Sequence, residues 1–297
     1  MPYIALAVGV AAVSTSAVLV ELTTAPSAVV AFYRLFFSAL LILPYFLLRN
    51  LPELKTFSKK DWIFSGVAGV FLAVHFILWF ESLNFTSVAS SVVLVTLQPL
   101  FSFVGTYFFF KEKISFTTIV SAMVAIIGSV IISWGDFYVS GMALFGDFLA
   151  LAACAMVTAY LLFGQEVRKT HSLMGYTFIV YSFSAVTLFI YCIALQYPLM
   201  NYPAQDWVYF LLLAIVPTLL GHSLFNWSLK WISTNVISVS ILFEPVGAII
   251  LAYILLGETV IMSQVIGGFI IVCGIIIFAF EKQLKSIVKT KMANISS

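Results

Sequence analysis

Ten long apolar segments, separated by short polar stretches, dominate this sequence of 297 residues. A helix needs about 20 consecutive apolar residues to cross the hydrocarbon core of a bilayer. The predicted spans are 3–20, 27–48, 62–81, 87–109, 115–134, 142–163, 174–196, 207–229, 235–256 and 261–280. Hydrophobic residues make up 63% of the chain and charged residues only 9%, which excludes an ordinary soluble domain. The sequence therefore predicts an all-α polytopic membrane protein with ten transmembrane helices.

The second half of the sequence repeats the first half. A shift of 146 residues aligns Gln98-Pro99 with Glu244-Pro245 and Glu112 with Glu258. Each copy contains an apolar helix with a proline near its middle, a short turn and a second apolar helix. The predicted domains are a first five-helix repeat (1–134), a second five-helix repeat (135–281) and a basic cytoplasmic tail (282–297).

Positive charge lies at opposite ends of the matched helices. Lys111 and Lys113 become Gly257 and Thr259 in the second copy, whereas Asn84 becomes Lys230. Because Lys and Arg remain on the cytoplasmic side, the repeats are predicted to be inverted, as in many secondary transporters. With the N-terminus inside, thirteen of the 14 basic residues fall in inner segments. We expect both termini to be cytoplasmic and the membrane to be the plasma membrane of a bacterium.

Two prolines mark a candidate central site. Pro99 and Pro245 lie inside the fourth and ninth predicted spans, where neither can donate a hydrogen bond to the carbonyl four residues before it. A helix broken at this depth is tolerated where protein or a water-filled cavity satisfies the backbone. Gln98 and Glu244 directly precede the two prolines. We predict that these segments are matched halves of one binding site.

Arg34, His75 and Trp79 are further candidates in the second and third spans. Arg34 is not expected to face lipid, because an unpaired charge at this depth is costly. A structural ion pair, a side chain that reaches outward to water and contact with an anionic substrate group all remain open. His75 can serve function or bond a neighbouring helix. Trp79 is assigned to an aromatic belt in preference to a substrate cage.

The sixth and eighth spans carry the remaining candidates. Asp147 lies near the predicted outer end of the sixth span. His222 and Asn226 recur at a spacing of four in the eighth span, beyond a predicted kink at Pro217, and are therefore expected to share a face. His222 is only an approximate counterpart of His75, since the repeat shift leads from His75 to Gly221.

Other segments are assigned no part in binding. Small residues in the fifth and tenth spans indicate close helix packing, and a homodimer through these spans is one interpretation. Residues 49–61 form the longest inner loop and are interpreted as a solvated linker. The three His and three Cys residues show no metal-ligand spacing, so no metal site is expected. No cofactor and no nucleic-acid partner are expected either.

Three motifs together resemble the EamA-type drug/metabolite transporter superfamily. They are Phe32-Tyr33-Arg34-Leu35-Phe36, Leu97-Gln98-Pro99-Leu100 followed by Glu112, and Phe243-Glu244-Pro245-Val246 followed by Leu256-Gly257-Glu258. The similarity covers nearly the whole chain, although the first turn reads Lys-Glu-Lys where the second reads Leu-Gly-Glu. The resemblance implies a ten-helix transporter, often an exporter of amino acids or other small metabolites. It also implies a central cavity lined mainly by spans 1, 3, 4, 6, 8 and 9.

The expected function is therefore a secondary transporter that exports small amphipathic metabolites, such as amino acids, by alternating access. Glu244 would face an ammonium group and Arg34 a carboxylate. Because burial disfavours the charged form of a carboxyl group, Glu244 or His222 can also carry a coupling proton. A passive facilitator and an exporter of drugs or lipid carriers are alternatives on the same scaffold. An intramembrane enzyme is disfavoured, because no converging catalytic set is present.

Overall fold

The computed structural model describes residues 2–134, 141–257, 259–263, 265–274 and 276–277, and within them all regular structure is helical. The helices are α1 (Pro2–Val13), α2 (Ser16–Glu21), α3 (Ser27–Tyr45), α4 (Lys59–Leu83), α5 (Val88–Val95), α6 (Gln98–Phe110), α7 (Phe116–Ser133), α8 (Gly141–Val167), α9 (Leu173–Ala194), α10 (Ala204–Leu213), α11 (Ser223–Ser228), α12 (Thr234–Ile241), α13 (Glu244–Leu256) and α14 (Val265–Gly274). The tail 282–297, Glu258 and the end of the tenth predicted span lie outside the described residues.

Eight of the predicted spans, the first to fourth and the sixth to ninth, are helices long and apolar enough to cross a membrane. Helices α7 and α14, in the fifth and tenth predicted spans, are shorter apolar helices within the described part of the chain. Many large apolar side chains on the outer surface are exposed, for example Leu48 and Phe269. Such a surface suits a lipid environment, since contiguous apolar surface of this extent is rare on soluble proteins.

Spans 4 and 9 are interrupted where the two prolines predict a break. Helix α5 ends at Val95 and α6 begins at Gln98, with Pro99 in the first turn of α6. Helix α12 ends at Ile241 and α13 begins at Glu244, with Pro245 in its first turn. The first turn of a helix accommodates proline, because its missing N–H has no intrahelical partner there. In both spans the interruption lies within three residues of the proline.

Spans 1 and 8 also depart from regular α-helix. Helices α1 and α2 are separated at Ser14 and Thr15, whose hydroxyl groups donate to the carbonyls of Val10 and Ala12. Such bonds compete with the backbone ladder and bend helices. In span 8 a π-helical segment, Ala214–His222, connects α10 to α11 and contains Pro217, which confirms the predicted irregularity.

The long helices form one packed core. Helix α4 packs along α8 and α9, and α3 packs along α9. The two short helices of span 1, α1 and α2, lie against α11, α13 and the π-helical segment of span 8. The split spans cross one another, since α5 contacts α13 and α6 contacts α12. This arrangement brings the breaks in spans 1, 4 and 9 close together, and Ser14 at the first break donates to the Glu244 carbonyl oxygen at the third.

Helices α7 and α14 approach each other closely through small residues. A Cβ atom added to Gly267 would lie 2.4 Å from the Gly128 carbonyl oxygen and 2.6 Å from Ile132 Cγ1. A Cβ on Gly274 would lie 2.9 Å from the Ser121 carbonyl oxygen. Small residues at such a contact permit backbone-to-backbone packing, in agreement with the packing role predicted for these two spans.

Replacing Gly267 with alanine is expected to destabilise this contact by about 1–3 kcal/mol, the usual range for overpacking. The added methyl group would meet backbone atoms that cannot rotate away. The measurement is the midpoint of thermal unfolding of the purified protein in detergent. Gly268→Ala is the matched control, because its Cβ would meet only Val246 Cγ2, at 3.9 Å. Equal midpoints for both variants would contradict the prediction.

The interpretation of residues 49–61 as a solvated linker is wrong for its acidic groups. Glu53 accepts hydrogen bonds from the backbone N–H of Ser172 at 2.6 Å and from Asn50 Nδ2 at 3.0 Å. Asp61 Oδ2 lies 3.1 Å from His171 Nε2. The loop is docked onto the turn between α8 and α9 because these carboxylates find donors there.

Candidate functional site

A cavity lies at the level of the helix breaks, and seven of the predicted spans contribute to its wall. Its lining comprises Val13, Ser16, Arg34, His75, Trp79, Val95, Gln98, Val157, Leu161, His222, Phe225, Ile241 and Glu244. The walls therefore come from spans 1, 3, 4, 6, 8 and 9, as the resemblance implies, with Arg34 added from span 2. Six of the eight predicted binding or coupling residues lie in this one wall.

Arg34 is fully buried and fixed on two sides. Its Nε donates to Thr218 Oγ1 at 2.7 Å, and its Nη1 donates to Ser16 Oγ at 2.6 Å. The guanidinium carbon lies 4.2 Å from the ring centroid of Phe76, a favourable cation–π geometry. Both hydroxyl partners are neutral, so the positive charge of Arg34 is held in place without being neutralised.

The guanidinium group retains one unused donor. Arg34 Nη2 is buried and has no hydrogen-bond partner among the described residues. Within the same residues no carboxylate lies within 4.0 Å of the guanidinium group. The burial removes the interpretation in which Arg34 reaches outward to water, and the described contacts do not include the structural ion pair. A buried cation with a free donor is prepared to bind an anionic group.

Gln98 and Glu244 are the first residues of α6 and α13, and both lie in the cavity wall. Glu244 is 6% exposed, and its carbonyl oxygen accepts a hydrogen bond from Ser14 Oγ at 3.2 Å. Its carboxylate forms no hydrogen bond or ion pair within the described part of the chain. Gln98 Oε1 is buried and likewise lacks a partner there. Two acceptors thus face the cavity from the two matched helices.

Arg34 and Glu244 place a basic group and an acidic group in the wall of one cavity. They do not form a direct salt bridge, because no Arg34 nitrogen lies within 4.0 Å of a carboxylate oxygen in the described residues. The beginnings of α6 and α13 add the positive ends of two helix dipoles. The site therefore offers a basic and an acidic group that do not pair directly with each other.

The two intramembrane histidines are close together. The ring centroids of His75 and His222 are 6.5 Å apart, although the repeat relation between them is only approximate. His75 Nδ1 lies 3.0 Å from the Ala153 carbonyl oxygen, so His75 both bonds a neighbouring helix and lines the cavity. His222 Nδ1 is buried without a hydrogen-bond partner among described residues.

Trp79 belongs to the cavity wall. Its side chain is buried, 3% exposed, and stacks on His75 at a centroid distance of 5.7 Å. A belt residue would reach the membrane interface, so the belt assignment is wrong for this tryptophan. The indole Nε1 is buried and has no described hydrogen-bond partner.

Asn226 and Asp147 do not line the cavity. Asn226 is buried beside the hydroxyl groups of Tyr160 and Tyr181. Asp147 is half-buried near the start of α8, where its Oδ1 accepts a hydrogen bond from Thr86 Oγ1 at 2.9 Å. Asp147 thus bonds the segment that precedes α5, whereas both polar atoms of the Asn226 side chain are buried without a hydrogen-bond partner among the described residues.

The sequence prediction omitted Ser16 and Thr218, the residues that hold Arg34. Ser14 was omitted as well, although it contacts Glu244. The available signal was the Ser14-Thr15-Ser16 run inside an otherwise apolar span. Such a run indicates an irregular helix, but it does not reveal that Ser14 contacts Glu244, 230 positions away. Sequence spacing likewise does not connect Arg34 with Thr218, 184 positions away.

The cavity is nearly closed in this structure. The free volume at its centre, about 20 Å³, accommodates about one water molecule. A substrate larger than water therefore requires the walls to separate. Among the described residues, no group of three or more His, Cys, Asp or Glu side chains is arranged to hold a metal ion.

Comparison with known proteins identifies one family over both halves of the chain. The EamA-like transporter family matches residues 1–134 and 144–280. An uncharacterised transporter of Archaeoglobus fulgidus is 25% identical, over 84% of this chain and 85% of its own length. The uncharacterised transporter YxxF of Bacillus subtilis is 24% identical, over 90% of this chain and 85% of its own length.

A solved crystal structure has a similar fold. It superposes with a TM-score of 0.74, covers 95% of this chain and 99% of its own chain, and shares 18% sequence identity. At this level of identity the similarity concerns the fold alone. The helical arrangement described above is thus found in a protein of distant sequence.

Proposed function

Because this chain belongs to the EamA-like transporter family, we propose that it is a secondary transporter that exports small amphipathic metabolites, such as amino acids, across the plasma membrane. Its two halves are proposed to be inverted five-helix repeats that alternate access to one central site. Matched helix breaks at Pro99 and Pro245 support this arrangement, since discontinuous helices form the central sites of many transporters.

One observation carries the substrate proposal: unpaired groups of opposite charge face a common closed cavity. Arg34 Nη2 is a free donor, and the Glu244 carboxylate has no direct partner in the described residues. A zwitterion supplies a carboxylate for Arg34 and an ammonium group for Glu244. Because buried unpaired polar groups are costly, a ligand that pairs both would be bound selectively.

The remaining wall suits an apolar side chain. Val13, Val95, Val157, Leu161 and Phe225 surround the charged groups. A pocket that combines a few placed polar groups with apolar walls is the usual form of a small-molecule site. Neutral amphipathic amino acids match this combination better than sugars, which would need many more hydrogen-bond partners.

Glu244 is also the proposed coupling group. An intramembrane carboxyl group without a fixed partner can bind a proton in one state and an ammonium group or cation in another. Exchange of a proton for substrate at Glu244 would couple export to proton re-entry. His222 lies in the same wall and provides a second proton-binding position.

The proposal is tested with purified protein in liposomes loaded with a mixture of amino acids and other small metabolites. Release is measured with and without an imposed pH gradient. Selective release of a few amino acids that depends on the gradient is the expected result. Selective release that ignores the gradient would contradict proton coupling and favour a passive facilitator. Retention of amino acids with release of larger amphipathic cargo would contradict the substrate class.

A further inference from the structure

We infer that Glu112, Gln165 and Asn235 form the cytoplasmic gate of the central cavity. This inference rests on the proposed transport function, because it assumes that the cavity is the transport site. Glu112 follows the end of α6, Gln165 lies near the end of α8, and Asn235 lies at the start of α12. The three residues thus come from three separate spans, one in the first half of the chain and two in the second.

One carboxylate joins the three spans. Glu112 Oε1 accepts a hydrogen bond from Gln165 Nε2 at 2.9 Å, and its Oε2 accepts one from Asn235 Nδ2 at 3.2 Å. Asn235 Nδ2 also donates to Thr106 Oγ1 at 2.6 Å. The backbone N–H of Thr234 donates to Gln165 Oε1 at 2.7 Å. Hydrogen bonds to an ionised group are about twice as strong as neutral ones, so Glu112 is the centre of this network.

The network lies directly beyond the cavity wall. Gln165 follows the lining residue Leu161 by four positions, about 6 Å along the helix. Thr234 precedes the lining residue Ile241 by seven positions, about 10 Å along the axis of helix α12. Thr234 Oγ1 donates to the Leu161 carbonyl oxygen at 3.2 Å. While these contacts persist, the walls from spans 6 and 9 cannot separate at this end.

The composition of the network suits a contact that opens and closes. Gln165 and Asn235 are both 6% exposed, whereas Glu112 is half-buried and reaches solvent. Asn235 Oδ1 is buried without a hydrogen-bond partner in the described residues. Polar groups that bond one another when closed can bond water when open, at little enthalpic cost. Water that bonds Asn235 Oδ1 in the open state would lower the free energy of that state relative to the closed state.

A second polar network at the same end serves as the comparison. Glu53 bonds Ser172 and Asn50, and these groups connect the segment after α3 to the start of α9. Neither end of this contact adjoins a lining residue of the cavity. Breaking it is expected to loosen the loop without opening the cavity, which makes Glu53→Ala a matched control for Glu112→Ala.

The test measures access to the cavity with a membrane-impermeant thiol reagent. Cys154, Cys192 and Cys273 are replaced by alanine, and Ile241→Cys introduces a reporter in the cavity wall. The reagent is added to the predicted cytoplasmic face in inside-out vesicles. Glu112→Ala is expected to raise the modification rate at position 241 at least about tenfold. The variant loses hydrogen bonds to a charged group that hold the closed state, and the loss of one such bond raises the population of the open state by about this factor. Glu53→Ala is expected to leave the rate unchanged.

A second gate variant covers the case in which Glu112→Ala fails to fold. Asn235→Asp preserves side-chain size but places a second carboxylate against Glu112, and it is expected to raise the rate as well. Unchanged rates in the folded gate variants, or an equal rise in Glu53→Ala, would overturn the gate. Because the assay requires no substrate, a failed gate leaves the transport proposal standing, and a failed transport assay leaves this measurement valid.

Discussion

Replacing Arg34 with methionine is expected to weaken substrate binding by about 10- to 100-fold without lowering the thermal stability of the folded protein. A hydrogen bond to a charged group contributes about 1.5–3 kcal/mol, and 1.4 kcal/mol corresponds to a factor of ten in affinity. Arg34 Nη2 is a buried donor without a described partner, so its loss removes a contact left for a ligand. The hydrogen bonds to Ser16 and Thr218 are lost as well, but so is the cost of burying a charge that no carboxylate neutralises.

The stability measurement separates binding from a structural role. Arg34 is fully buried without a described ion pair, and replacing buried charge with an apolar side chain of similar length is often neutral or stabilising. Binding is measured by titration of amino acids into the purified protein, and stability by thermal unfolding without ligand. A lower unfolding midpoint with unchanged affinity would show that Arg34 only supports the fold.

Ser16→Ala provides the matched control. Ser16 Oγ accepts one Arg34 hydrogen bond at 2.6 Å, so its loss leaves the charge in place but frees the orientation of the guanidinium group. A smaller loss of affinity than in Arg34→Met is expected. If Ser16→Ala weakened binding as much, the hydroxyl group itself would be the substrate contact.

The helices and their breaks could be predicted because local rules determine them. An apolar run of sufficient length forms a spanning helix, and proline interrupts its hydrogen bonds wherever the fold places it. Pro99 and Pro245 therefore predict the breaks without any knowledge of tertiary contacts. The ten-span count remains a prediction, because part of the tenth span lies outside the described residues.

Several residues of the cavity wall can be predicted for a similar reason. Ionisable groups are rare in membrane spans and indicate function, which singled out Arg34, His75, His222 and Glu244. Their partners could not be predicted in the same way. Ser16 and Thr218 are common small polar residues, and only the packing of distant spans places them against Arg34.

The polar loops were the least predictable part of the fold. A run with four Lys or Arg residues and two acids, such as 49–61, has the composition of a solvated linker. Its docking depends on Ser172 and His171, more than 100 positions away. Glu112 is similar, since it occupies a charged turn and its partners lie on two other spans. Sequence spacing carries no information on such contacts.

Replacing Glu244 with glutamine is expected to abolish the dependence of export on the pH gradient. The amide has nearly the shape of the carboxyl group but cannot bind or release a proton. Glu244 lies in the cavity wall at the start of α13, where a proton and the ammonium group of a substrate would compete for the same oxygens. The measurement is amino acid release from liposomes with and without the gradient.

Gln98→Ala is the matched control for Glu244→Gln. Gln98 begins α6 as Glu244 begins α13, and both line the same cavity. Removal of the Gln98 amide deletes a substrate acceptor but no proton-binding group, so release should slow while its dependence on the gradient persists. Gradient-dependent release that survives Glu244→Gln would transfer the coupling role to His222, the other proton-binding candidate in the wall. Loss of the dependence in both variants would instead indicate that substrate binding, and not proton exchange at Glu244, limits the coupled step.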